Sequence, residues 1–242
     1  MKIIVNGACG RMGKALRAIM NERAVETAAA VDPFAGEEGI LSSLADFSGE
    51  ADCIIDFSNH TGAPALAEFA AKSKLPLVVA TTGHTEDELA AIREAAKSVP
   101  VFYSGNMSLG IAVLTELVKT AVKMFPDADI EIVESHHNQK LDVPSGTALM
   151  LARAAQSVRP DSNLLVGRHE NGKRTKSEIG IHSLRMGNTV GIHEVIINTG
   201  SQIISLKHEA QDRSLFAEGA LAAAQFIIGK EPGLYNMDNI VK

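Results

Sequence analysis

In the N-terminal part of the chain, short uninterrupted apolar runs alternate with stretches whose apolar residues recur at helical spacing. The first kind reads as buried strand, the second as amphipathic helix. Residues 2–6 form such a run. The glycine-rich turn 7–13 follows, then a helical pattern through Met20 with Leu16, Ile19 and Met20 on one face. Strands are predicted again at 27–31, 52–57, 76–80 and 101–103, and helices at 62–71 and 86–98. Regular alternation of strand and helix predicts an α/β fold with a doubly wound parallel sheet of Rossmann type.

After residue 108 the rhythm changes. A single helix is predicted over 109–124, with Leu114, Leu117, Val118 and Ala121 repeating on a face, and Phe125-Pro126-Asp127 stops it. Ile130 and Ile132 then alternate with Glu131 in a strand that ends near His136, and a helix follows to about residue 158. Strands come next at 178–184, 191–198 and 202–208, the last two joined by the turn signal Asn198-Thr199-Gly200. This half predicts an α+β domain with a mixed or antiparallel sheet. A long helix over 212–229, carrying Leu215, Phe216, Gly219, Leu221, Ala222 and Phe226, is expected to pack back on the first domain. Residues 234–242 are expected to form a final strand or coil. The domains so drawn are 1–107 with 212–242, and 108–211.

Composition narrows the function classes. The chain has 242 residues, 45% hydrophobic and 21% charged, with a net charge of −6. These values are those of a globular protein. The basic residues are not massed in any tract, tryptophan is absent and there are only two tyrosines. A nucleic-acid partner is therefore not expected. The two cysteines, Cys9 and Cys53, form no C-x-x-C, which fits a reducing compartment. No apolar run approaches the ~20 residues that span a bilayer, so no membrane association is expected. The opening M-K-I-I-V-N-G reads as a buried strand instead of a secretory signal, and a cytoplasmic location is expected.

The first candidate chemistry lies at residues 7–13. Strand, glycine-rich turn and helix form the layout of a dinucleotide-binding βαβ unit, here with the spacing G-x-x-G-x-x-G. Gly7 suits the tight turn, Gly10 the approach of a pyrophosphate, and Gly13 close packing of helix on strand. Arg11 adds charge at the rim. The second strand ends at Asp32, where an acidic residue contacts the ribose hydroxyls of such cofactors. A plainer reading makes Asp32-Pro33 a turn. As a ribose contact, Asp32 favours NADH by repelling a 2′-phosphate, although Lys14 or Arg11 would permit NADPH. Ser58-Asn59-His60 and Thr81-Thr82-Gly83 lie at C-terminal ends of predicted strands, where ligands bind in open α/β sheets. The second of these turns suits an approach to the nicotinamide. His60 reads as a loop or cap residue.

The second candidate is residues 130–148, which pass from strand to helix through two histidines, a lysine, an aspartate and Ser-Gly-Thr. Pro144 interrupts regular structure and Ser145 stands where an N-cap would, before Ala148, Leu149 and Met150. Gly146 and Thr147 would then offer backbone N–H groups at a helix N-terminus, a ready anion site. Lys140 and His137 add positive charge, and a nearby histidine can move a proton. The stretch thus points to a small carboxylate or phosphate. Two plainer readings compete. A solvated polar loop is one. A zinc site is the other, disfavoured because neighbouring strand residues point opposite ways and no further ligand has the right spacing.

Together these motifs resemble the 4-hydroxy-tetrahydrodipicolinate (dihydrodipicolinate) reductase family. The matching pieces are G-A-C-G-R-M-G at 7–13, D-F-S at 56–58, T-T-G at 81–83 and N-M-S-L-G at 106–110. They continue with E-S-H-H-N-Q-K-L-D-V-P-S-G-T-A at 134–148, R-M-G-N-T-V-G-I-H at 185–193 and H-E-A-Q-D-R at 208–213. The resemblance implies reduction of a cyclic dicarboxylate with NADH or NADPH, in lysine and diaminopimelate biosynthesis. It implies that His136 is the catalytic acid, with Lys140 also in catalysis. His137, Lys140, Gly146 and Thr147 would hold the substrate's carboxylates. Cofactor contacts are implied at Gly7, Gly10, Arg11, Met12 and Gly13, at Asp32, Phe57 and Ser58, and at Thr81, Thr82, Gly83, Asn106 and Met107; no metal is implied. Residues 108–211 become a substrate-binding and oligomerisation domain, assembled as a homotetramer through its sheet, and closure of the domains is expected. The chain departs from the pattern in a compact 33–46 region and in Ser104-Gly105 before Asn106. Other readings keep the fold with a different small imine or carbonyl acid as substrate, or make the chain a non-catalytic sensor of the nucleotide.

Overall fold

The computed structural model describes residues 1–34 and 38–241. In chain order its elements are β1 (Lys2–Asn6), α1 (Arg11–Glu22), β2 (Glu26–Val31), β3 (Ile40–Leu41), β4 (Cys53–Asp56), α2 (Ala63–Ser73), β5 (Leu77–Val79), α3 (Glu86–Ala95) and β6 (Pro100–Tyr103). Then follow α4 (Leu109–Met124), β7 (Asp129–His136), α5 (Gly146–Val158), β8 (Asn163–Val166), β9 (Glu178–Arg185), β10 (Gly191–Asn198) and β11 (Ile203–Ala210). The chain ends with α6 (Ser214–Ile227), β12 (Gly233–Tyr235) and α7 (Asp238–Val241). It divides into two compact units, Met1–Ser108 with Arg213–Lys242, and Leu109–Asp212.

The first unit is a seven-stranded sheet in the order β12-β6-β5-β4-β1-β2-β3, parallel throughout. The apolar runs of β1, β4 and β5 are buried end to end, as strands covered on both faces must be. Strand order reverses between β1 and β4, so their C-terminal ends open a crevice of the kind that binds ligands. α6 packs against α1 and β4–β6 through small residues, Ala217, Gly219, Ala220, Ala223 and Ala224, together with Leu221 and Ile227. Of the residues named for this helix, Leu215, Phe216, Ala222 and Phe226 are only half-buried. Small side chains let the helix approach the sheet more closely than large ones would. α3 ends at Ala95, short of the expected residue 98, because Lys97 and Ser98 close the helix with turn hydrogen bonds.

The second unit is a five-stranded mixed sheet, β11-β10-β7-β9-β8. β10 pairs antiparallel with β7 and β11, while β9 pairs parallel with β7 and β8. One face packs on α4 and α5 through Ile130, Ile132, Ile179, Ile181, Val195, Ile197 and Leu151. Leu117, expected on the buried face of α4, is exposed. Side chains of a strand alternate between faces, so the row begun by Ile130 and Ile132 continues inward as Glu134 and His136, both buried. The apolar core therefore grades into a buried polar layer at one end of β7, next to the N-terminus of α5. Glu131 belongs to the opposite face, where it pairs with Arg174 and lies 2.8 Å from His182.

Candidate active site

In the first unit the chain turns sharply between β1 and α1. Gly7 has φ +79, and a Cβ there would lie 2.5 Å from the carbonyl oxygen of Phe57. A Cβ on Gly13 would lie 2.1 Å from the carbonyl oxygen of Gly7. Only glycine fits either place, and the first turn of α1 consequently lies against the loop. Gly10 is the N-cap and provides no capping side chain, nor is any acidic residue present in the first turn. The amides of Arg11, Met12 and Gly13 thus form an uncapped, electropositive helix end. Arg11 is exposed and Met12 half-buried. A cleft of about 780 Å³ opens here, lined by Gly7, Gly10, Asp32, Phe34, Phe57 and Ser58 among others. Its size and its glycine-walled entrance fit a dinucleotide.

Asp32 is buried at the end of β2, and its carboxylate accepts hydrogen bonds from the backbone of Cys9 at 2.9 Å and of Phe34 at 3.1 Å. It ties the glycine loop to the second strand and retains lone pairs for hydroxyl donors. Part of the 33–46 region, residues 35–37, lies outside the described residues. Ser58 is exposed at the cleft, whereas Thr81 is buried. Their hydroxyls donate to Asp56 at 2.6 and 2.7 Å, and Asn6 Nδ2 donates to the same carboxylate at 2.7 Å. Asp56, a residue given no role above, thereby knits together the ends of β1, β4 and β5. Thr82 and Gly83 are exposed beside it. Met107 is buried, and Asn106 Oδ1 accepts from the amide of Ser108 at 2.8 Å. His60 follows an Asn59 cap and bonds Glu88 at 2.9 Å.

In the second unit the polar layer below the apolar core centres on one buried carboxylate. Glu134 is inaccessible to solvent. Its carboxylate takes both guanidinium nitrogens of Arg185 at 2.9 Å, His136 Nδ1 at 2.5 Å and the backbone N–H of Ser145 at 3.1 Å. Burial alone would raise the pKa of Glu134, but Arg185, Ser183, His136 and Ser145 outweigh it and hold the group down at about 2. For His136 the balance is different. Its burial lowers the pKa, Glu134 raises it, Lys140 and Arg185 lower it, and the net shift is downward. The carboxylate is charged at neutral pH, and its pull toward the imidazolium is opposed by the burial of the ring.

Ser145 is the N-cap of α5, as its position after Pro144 predicted; its Oγ accepts from the amide of Ala148 at 3.2 Å and sits 3.1 Å from His193 Nε2. His193 is buried, which pushes its pKa down to about 4, and its ring packs edge-on against His136 with centroids 5.1 Å apart. Gly146 and Thr147 occupy the first helical turn. Lys140 Nζ lies 2.8 Å from Asp142 Oδ1. Burial opposes ionisation of Asp142, yet Lys140 and the Gly146 backbone hold its pKa below the ordinary value. A carboxylate is therefore already seated on the ammonium expected to bind one. His137 is half-buried, its carbonyl accepting the Lys140 amide at 3.2 Å. Glu134, Arg185 and His193 were quoted in motifs without roles. Glu134 carried a signal, since it stands two residues from His136 on the inward parity of β7. Arg185 and His193 are brought to it only by strand pairing.

Family models describe both halves of the chain: "Dihydrodipicolinate reductase, N-terminus" matches residues 1–107 and "Dihydrodipicolinate reductase, C-terminus" residues 110–241. A protein of Caldanaerobacter subterraneus subsp. tengcongensis named 4-hydroxy-tetrahydrodipicolinate reductase is 47% identical, covering 100% of this chain and 98% of its own. A protein of the same name from Clostridium novyi is 40% identical with the same coverage. Among solved structures, a dipicolinate-bound dihydrodipicolinate reductase from a Paenisporosarcina species superposes with a TM-score of 0.80 at 22% identity, over 99% of each chain. That likeness concerns the fold.

Proposed function

The chain belongs to the dihydrodipicolinate reductase family, and from that premise we propose how its residues divide the work. The activity is the NAD(P)H-dependent reduction of 4-hydroxy-tetrahydrodipicolinate to tetrahydrodipicolinate in lysine and diaminopimelate biosynthesis. The reaction exchanges a ring hydroxyl for hydrogen: a hydride and a proton are taken up and water leaves. A bound reduced nicotinamide supplies the hydride. The first unit holds the pyridine nucleotide, with Gly7, Gly10 and the α1 amides on the pyrophosphate. Phe57, Thr82, Gly83 and Asn106 border the rest of it. Ser58 borders it too, and the buried Thr81 and Met107 shape this border through backbone and packing. Asp32 accepts from the adenosine ribose and disfavours a 2′-phosphate. In the second unit Lys140, Gly146, Thr147 and His137 grip the substrate's carboxylates, and His136 gives the proton.

The observation that carries this reading is Asp142, whose carboxylate lies 2.8 Å from Lys140 Nζ. It stands where a substrate carboxylate would bind. A planar dicarboxylate such as the dipicolinate in the Paenisporosarcina structure should therefore inhibit in competition with substrate. Inhibition competitive only with NADH would sink the assignment. Changing Lys140 to Ala removes a charge-assisted contact worth about 1.5–3 kcal/mol. KM is expected to rise about 10–100-fold with kcat also reduced, and unchanged kinetics would remove Lys140 from the site. For the cofactor, Asp32→Ser should raise kcat/KM with NADPH relative to NADH. An equal response of the two cofactors would mean that Asp32 does not touch the ribose. We also infer a homotetramer and a cytoplasmic location. The assembly is supported by the sheet face away from α4 and α5, which leaves Leu184 and Ile203 exposed; sedimentation at several concentrations tests it. Among the described residues no helix is long and apolar enough to cross a membrane.

A further inference from the structure

We propose that Glu134 is a positioning residue for the proton transfer: it holds the Nδ1–H of His136, leaves Nε2 as the nitrogen that takes up a proton from solvent to form the imidazolium and passes that proton to the substrate, and ties that ring to the N-terminus of α5. The inference rests on the reading of His136 as the acid and goes further by naming what orients it. An ionised carboxylate only accepts hydrogen bonds. At 2.5 Å from Glu134 Oε2, His136 Nδ1 must therefore be the nitrogen that carries hydrogen. Nε2 is left to face the space beside Gly191, where an added Cβ would lie 3.1 Å from it. Glycine at this point of β10 keeps the edge of the imidazole open to a ligand.

The remaining bonds of Glu134 fit the role. The Arg185 fork, at 2.9 Å on each oxygen, holds the carboxylate ionised and in one plane. Arg185 also donates to the carbonyl of Asp142 at 2.6 Å, so the fork fixes the loop that bears Lys140. The Ser145 amide, 3.1 Å from Glu134 Oε1, joins the same carboxylate to the helix end. One buried anion thus sets proton donor and carboxylate site in a common frame, as the third member of a nucleophile–base–orienter set does. Register explains the convergence: Glu134 stands opposite Ser183 on β9 and His193 on β10, and His136 opposite Arg185.

The test is the pH profile of kcat/KM, with the full-length enzyme, for wild type and Glu134→Gln. The titratable and charged groups facing His136 are Glu134 on its own strand, Arg185 on β9, His193 on β10 and Lys140 on the loop. Of these only Glu134 favours the imidazolium. Its amide replacement therefore lowers the pKa of His136, and the decline of kcat/KM with rising pH begins at lower pH. Beside that shift, kcat should fall about 10²-fold with NADH affinity unchanged. A lower kcat with an unmoved limb would mean a merely structural role and would overturn the proposal, as would wild-type behaviour. If Glu134→Gln does not fold, because Arg185 loses its partner, the tautomer of His136 in wild type decides. Side-chain 1H–15N correlation spectra should show neutral His136 protonated at Nδ1; the Nε2–H form would contradict the proposal. Should His136→Gln itself keep full turnover, the reading beneath fails instead; should it lose turnover while Glu134→Gln keeps it, only the present proposal does.

Discussion

Replacing His136 by Gln is expected to lower kcat by about 10²–10⁴-fold, the usual worth of a positioned general acid, while NADH still binds with wild-type affinity. Several facts combine to make the effect large. His136 ends the inward row of β7, buried and held on one nitrogen by Glu134, so its other nitrogen has a fixed direction. Glutamine has a similar reach but no proton to give in this range of pH. The adjacent histidine is no ready substitute. His193 has a pKa near 4 and its Nε2 is engaged with Ser145. Steady-state kinetics with a parallel fluorescence titration of NADH separate the two quantities. Turnover within a few-fold of wild type would mean that the proton comes from elsewhere.

Gly13→Ala should abolish useful cofactor binding, raising the dissociation constant for NADH by about 10²-fold or more. The new Cβ would stand 2.1 Å from the Gly7 carbonyl oxygen and 2.8 Å from Ala8 Cα, both backbone atoms with no flexible end to swing away. Either α1 or the glycine turn must move, and both carry the amides offered to the pyrophosphate. Overpacking of this kind also costs about 1–3 kcal/mol of stability, which thermal unfolding reads independently. The hydrogen bonds of His136 lie wholly within the second unit and should be untouched. NADH affinity within a few-fold of wild type would remove residues 7–13 from the phosphate site.

Much of this was legible in the sequence wherever a periodic signal was long. β1, α4 and β10 fall where the pattern puts them. β3, β8 and β12 were not clearly legible, because strands this short hold no measurable period and are fixed by pairing with β2, β9 and β6. On α6 the buried face is mostly alanine, a residue whose weak apolar signal does not mark a face, and of the residues named there only Gly219 and Leu221 are buried. The chemistry divides in the same way. Gly7, Gly13, Ser145 and His136 could be read because turn, cap and strand end are local features. The partners that orient them could not. Arg185 and His193 meet Glu134 only through the register of β9 and β10 on β7. Asp56 gathers Asn6, Ser58 and Thr81 only because three parallel strands end together.

The reductase activity itself is tested most directly by mixing the purified chain with NADH or NADPH and following absorbance at the nicotinamide band, before and after adding freshly made 4-hydroxy-tetrahydrodipicolinate. The absorbance should stay constant until the substrate is added and then fall in proportion to it, with tetrahydrodipicolinate as product. A flat trace with fresh substrate present, under conditions where the cofactor is bound, would contradict it.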